Sequence, residues 1–191
     1  MTDNIKIPLN IKCTAYTAIL ALLMGVAALI YANTLHTPFL FDDKDHITDN
    51  PHIRMTEITP SQLAKILNSP APNRPFANFT AAINYYVHRY QPAGYHIVNI
   101  VIHIFVGLLV FLVAQQTLQL CFVEKPFIIS LLAALIWIVH PLHTQAVTYI
   151  VQRMTSLAAM FYLLSLFFYI KARKQQQKPT AYPIKTIFLF I

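Results

Sequence analysis

The chain has 191 residues, of which 57% are hydrophobic and 11% charged, about half the charged share of an ordinary globular domain. The apolar residues lie in long runs, not at amphipathic spacing, which excludes a soluble domain and points to a multi-pass protein of the lipid bilayer. The net charge is +7, but the basic residues form no aromatic-interleaved patch, so nucleic acid is excluded as a partner.

In chain order, residues 1–12 read as a short cytoplasmic N-terminus carrying Lys6 and Lys12. Residues 13–35 then contain no charge, enough to cross a hydrocarbon layer of about 30 Å as a helix. A cleaved signal peptide is the alternative for this run. Its apolar part is longer than a usual signal core, and no convincing cleavage site follows. Residues 36–90 form a large loop. Within it, residues 60–67 have the pattern of a short amphipathic helix lying along the membrane surface.

The second span is predicted over residues 95–118 and the third over 126–141, opening on Pro126, a favoured first-turn residue. The apolar run of the third ends at Val139, after only about 20 Å of helix. Either the helix kinks through His140-Pro141, or it stops beneath a cavity where protein or water satisfies the backbone. The fourth span is predicted over 154–170, and a fifth begins at about 184, as in a chain cut short there. The expected fold is therefore all-α: a polytopic membrane helix bundle of about four complete spans. Basic residues mark the cytoplasmic flanks. Lys6 and Lys12 precede the first span, and Lys171, Arg173, Lys174 and Lys178 follow the fourth. An even number of spans puts both groups inside, leaving residues 36–90 and the 140–153 turn outside. Cys13 and Cys121 then lie near cytoplasmic helix ends, so no disulfide framework is expected.

Three groups of residues could carry chemistry. Asp42 and Asp43 lie just past the first span, where paired carboxylates could serve as a general base or hold a divalent cation, or form a solvated turn. His96, Asn99 and His103 fall at spacings of three and four, on one face of the second span. Such a face should point into the bundle, where interhelical hydrogen bonding is its structural reading. Third, Arg153 is expected at the outer mouth of the fourth span, either snorkelling to lipid phosphate or gripping a substrate phosphate. His140 and His143 are too few for a metal site by themselves, and no metal site is assigned.

Phe41-Asp42-Asp43 with Ile47-Thr48-Asp49-Asn50-Pro51 resembles the first outer loop of the transmembrane, tetratricopeptide-repeat protein O-mannosyltransferases and their bacterial relatives. So do Arg74-Pro75-Phe76 followed by Asn84-Tyr85, then Pro92-Ala93-Gly94-Tyr95-His96 with Asn99 and His103, and His140-Pro141-Leu142-His143-Thr144-Gln145 through Gln152-Arg153. These elements stand in family order between residues 35 and 171. Gln145 stands where the family usually has Glu and looks more like the bacterial branch, so the resemblance implies a bacterial inner membrane. The resemblance implies a glycosyltransferase of the GT-C type with a trailing tetratricopeptide-repeat region. Its donor would be a polyprenyl-phosphate-linked sugar, and its acceptor a protein or glycan hydroxyl on the outer side. Asp42 or Asp43 would act as base. Arg153, Arg74 or one of the histidines His96, His140 and His143 would bind the substrate and steady its leaving phosphate. A non-catalytic membrane anchor and a transporter are the alternatives.

Overall fold

A computed structural model of the protein describes residues 9–69 and 74–176. The proposed fifth span from 184, Lys178 and most of the N-terminal segment lie outside the described residues. The described chain is helical, with no strand among those residues: an all-α membrane helix bundle. The elements are α1 (Leu9–Tyr31), α2 (Pro60–Leu67), α3 (Pro75–His88), α4 (Pro92–Leu120), α5 (Pro126–Val139), α6 (Thr144–Thr148) and α7 (Arg153–Gln176). Three segments are long and apolar enough to cross a membrane, Thr14–His36, Pro92–Leu120 and Ile150–Gln176. A fourth is possible if the bent pair Pro126–Val139 and Pro141–Thr148 forms one span.

The helix starts follow from proline. Pro60, Pro75, Pro92 and Pro126 each occupy a first-turn position, where the missing N–H has no intrahelical partner to lose. Thr59 adds a side-chain cap by accepting from Gln62 N. Helix α2 matches the expected 60–67, whereas α3 was not foreseen: residues 75–88 read as loop by hydropathy, yet they form nearly four turns.

The break in the third span is the feature that shapes the molecule. Pro141 cannot donate a backbone hydrogen bond, and it holds His140 extended (φ −67°, ψ 126°), so α5 ends and the chain turns by 50°. Backbone groups freed at such depth need partners. The polar face of α4 supplies them. His103 Nε2 donates to the Ile138 carbonyl at 3.1 Å, and Asn99 Nδ2 donates to the carbonyls of Val147, Tyr149 and Ile150 at 3.3–3.4 Å. His96 Nε2 donates to the Thr37 carbonyl at 3.0 Å, tying down the end of the first span. The stripe thus faces inward: His103 satisfies a carbonyl freed at the break, Asn99 those where α6 ends, and His96 the end of the first span.

Helix α4 lies centrally between α1, α5 and α7. Ile19, Leu23, Ala27 and Tyr31 of α1 join Ile104 and Phe111 of α4 and Ala134 and Ile138 of α5 in one core. Within lipid, helices gain little from apolar contact as such, so close approach and polar bonds decide the packing. Gly107 serves the first requirement, because a Cβ there would meet Ile138 at 2.8 Å. Residues 36–69 and 74–90 contribute Ile47, Ile53, Met55, Ile66, Ala81 and Ala82 to a second core, joined by Tyr95 of α4 and closed by Ile150 from after the break. Each such aliphatic side chain, where water is the alternative, contributes about 1.5–3 kcal/mol on burial. The large loop is therefore a folded cap on one end of the bundle.

Candidate functional site

The acidic pair splits into two unlike residues. Asp43 is buried, 1% exposed, and both carboxylate oxygens are engaged. Oδ2 accepts from Leu40 N at 3.2 Å, and Oδ1 accepts from Val151 N at 2.7 Å, across 108 positions of sequence. Burial pushes its carboxyl above the usual 3.8, against the lowering effect of backbone N–H donors and of the nearby His96 ring. Asp42, by contrast, is exposed, and its backbone N–H donates to the Tyr149 hydroxyl at 2.8 Å. One aspartate fastens the cap to the start of the last span; the other presents a carboxylate to solvent.

Arg153 does not sit at an open helix mouth. It is 3% exposed, and all three arms of its guanidinium are held. Nε donates to Asn99 Oδ1 at 2.8 Å, Nη1 to Asn84 Oδ1 at 2.6 Å and Nη2 to the Tyr95 carbonyl at 3.0 Å. Of the two roles the sequence offers for Arg153, snorkelling to lipid phosphate is excluded by this burial, and its place is inside the helix mouth and not at its rim. The amides of Asn84 and Asn99 are neutral, so they satisfy the guanidinium's hydrogen-bond geometry without cancelling its charge. They also hold it in one orientation.

Arg153 lines a small cleft of about 30 Å³, room for a water molecule or two. His46, Arg74, Asn78, Val151 and Met154 line it as well. Arg74 enters from the first turn preceding α3, His46 from the short helical segment after Asp43, and Arg153 from the first turn of α7. Two arginines 79 positions apart in sequence therefore line one cleft, and Val151, which binds Asp43, forms part of its wall. Such a concentration of positive charge suits an anionic oxygen group.

The other expected substrate residues lie elsewhere. His96 is buried without exposed surface and its Nδ1 has no partner. The Nδ1 of His140 accepts from Leu142 N, capping the turn after the break. His143 packs against Trp137 (centroids 4.2 Å) and lines a separate cavity of about 200 Å³ with His103, Trp137 and Ser156. No group of three or more His, Cys, Asp or Glu that could hold a metal occurs among the described residues. Tyr149 was not singled out from sequence, and Asn84 stood there only as part of the family resemblance, with no role attached. Their significance depends on partners 107 and 69 positions away, for which local pattern carries no signal.

No family model matches the chain, and no solved structure does. Relatives do. The chain is 31% identical over 182 residues to the mouse protein named Protein O-mannosyl-transferase TMTC3, and 32% identical over 175 residues to the human Protein O-mannosyl-transferase TMTC4. These alignments cover 88% and 83% of this chain, but it spans only 18% and 24% of those relatives. The protein is an integral, multi-pass membrane helix bundle whose homologues, at about 30% identity over most of the chain, are named protein O-mannosyl-transferases.

Proposed function

We propose that this chain carries the donor-phosphate and base residues of a GT-C type membrane glycosyltransferase, a bacterial relative of the O-mannosyl-transferases. The donor is a polyprenyl-phosphate-linked sugar, the acceptor a hydroxyl on a protein or glycan, and the cap formed by residues 36–90 lies on the outer side of the bacterial inner membrane. The observation that carries this reading is the shared cleft of Arg74 and Arg153 beside the segment that presents Asp42.

The chemistry follows from those parts. Asp42 removes the proton from the acceptor hydroxyl, whose oxygen forms a bond to the anomeric carbon as the bond from that carbon to the phosphate oxygen breaks. The electron pair leaves with the lipid phosphate; the exposed Arg74 meets that phosphate at the mouth of the cleft, and the buried charge of Arg153 behind it stabilises it through space. Arg153 is held rigidly by Asn84 and Asn99, so little reorganisation is needed as the charge develops. The polyprenyl chain remains in lipid beside the spans while sugar and acceptor meet at the cap.

Membranes containing the full-length protein, supplied with radiolabelled polyprenyl-phosphate mannose, provide the test. Asp42→Asn keeps the side chain's shape and removes the base, so label transfer should fall by about 10²–10⁴. Arg74→Gln should raise the donor KM with little effect on folding, because Arg74 is exposed. Glu57→Gln, an exposed acid of the same cap, is the control for charge loss. Transfer by Asp42→Asn at the wild-type rate would overturn the base assignment.

A further inference from the structure

The segment Leu40–Asp43 holds a conformation that its own residues disfavour. Phe41 has φ 47°, in the left-handed region where a Cβ crowds the following carbonyl and where glycine or asparagine is the usual occupant. Its ring does not compensate by burial: it is 84% exposed and meets only the edge of Tyr149, with centroids 6.3 Å apart. The surroundings impose the conformation. Asp43 N donates to Leu40 O and Lys44 N to Phe41 O, each at 3.0 Å, which closes the turn. Asp43 clamps Leu40 N and Val151 N from inside, and the Tyr149 hydroxyl takes Asp42 N from outside.

Fastening the loop does not require all of this. The two bonds of Asp43 already join the cap to the chain at Val151, and an ordinary turn would satisfy Asp42 N with water. What the strain and the tyrosine together achieve is one fixed direction for the residue between them. Strained backbone persists where the surrounding structure over-determines it, and such places cluster at functional sites.

We infer that Tyr149 is a positioning residue for Asp42 and that Phe41 and Tyr149 together hold residues 40–43 as a strained elbow presenting the Asp42 carboxylate to the acceptor hydroxyl. The inference rests on the reading of Asp42 as the base. Tyr149 touches neither donor nor acceptor in this scheme. It acts through the backbone of Asp42, and its removal loosens the base without changing its chemistry.

The test is a double-mutant cycle on the full-length protein in membranes, again with labelled polyprenyl-phosphate mannose. Tyr149→Phe keeps the ring edge against Phe41 and removes only the accepting hydroxyl. Its turnover should fall roughly ten- to a hundredfold with the donor KM nearly unchanged, since small displacements of a reacting group are that expensive. In the Asp42→Asn background the same change should have almost no further effect, because a residue acting only through the base has nothing left to position. A merely structural tyrosine would lower both backgrounds equally and would lower the thermal midpoint too. Phe41→Gly supplies the second arm: relief of the left-handed strain should leave the thermal midpoint equal to or above wild type while turnover drops. Wild-type turnover in Tyr149→Phe, or equal penalties in both backgrounds, overturns the positioning role. Unchanged turnover in Phe41→Gly overturns the elbow. An inactive Asp42→Asn beside a fully active Tyr149→Phe removes this inference and leaves the base reading intact, whereas a fully active Asp42→Asn removes both.

Discussion

Replacing Arg153 with methionine tests whether a buried cation organises the junction between cap and bundle. The volumes are similar, so the change mainly removes three charge-assisted hydrogen bonds, to Asn99 Oδ1, Asn84 Oδ1 and the Tyr95 carbonyl. A buried acceptor left without its donor costs about 1–3 kcal/mol, which sets an upper sum for three of them. Two effects reduce it: the desolvation penalty of the cation disappears, and Asn84 and Asn99 reorient. Polar bonds inside membrane proteins also average only about 0.6 kcal/mol, which places the lower limit near 2 kcal/mol. The expected loss is therefore about 2–5 kcal/mol, seen as a fall in thermal midpoint of more than about 2 °C. Scanning fluorimetry of the full-length protein in detergent reads this without reference to activity, so the structural role separates from any contact with a donor phosphate. Arg153→Lys should recover little, because one ammonium cannot reach three acceptors fixed by a planar fork. A methionine variant melting within about 2 °C of wild type would falsify the buried network.

Three further outcomes are expected. Gly107→Ala drives a methyl group into Ile138, a fully buried neighbour, and should cost about 1–3 kcal/mol; Ile138→Val, which removes the Cδ1 atom, should restore part of it in the double variant, and strictly additive losses would contradict the α4–α5 contact. Burial raises the Asp43 carboxyl above its ordinary value, so the folded state keeps that proton to higher pH than the unfolded chain. Its share of stability is then present below pH 3.8 and is lost as pH rises through the raised value, so denaturation midpoints should show a downward slope there that Asp43→Asn lacks; an equal slope in both proteins would refute it. For topology, single cysteines placed at Asp49 and Gln176 in a background free of Cys13 and Cys121 should react with impermeant maleimide from opposite sides, and labelling of both from one side would invert or redraw the span count.

Features that depend on neighbours along the chain are legible in the residues alone. The apolar runs that become α1, α4 and α7, the amphipathic α2 and the interruption at His140-Pro141 are local properties of composition and backbone chemistry, and they stand in the structure where hydropathy and proline place them. The inward face of His96, Asn99 and His103 was legible for the same reason, since helical spacing alone puts the three on one side. Tertiary structure decided the rest. Asp42 and Asp43 are adjacent and chemically identical, yet one is buried as a clamp and the other presented, because only one can point at Val151 across 108 positions. Arg153 looked like a surface cation until Asn84, Tyr95 and Asn99 converged on it. Its cleft with Arg74 exists only because α3, unforeseen as a helix, brings residues 74–78 against the start of α7. Hydropathy reports how a residue partitions between water and lipid. It carries no information about which distant polar group will meet it, and in a bundle with little apolar driving force between helices those meetings determine both packing and site.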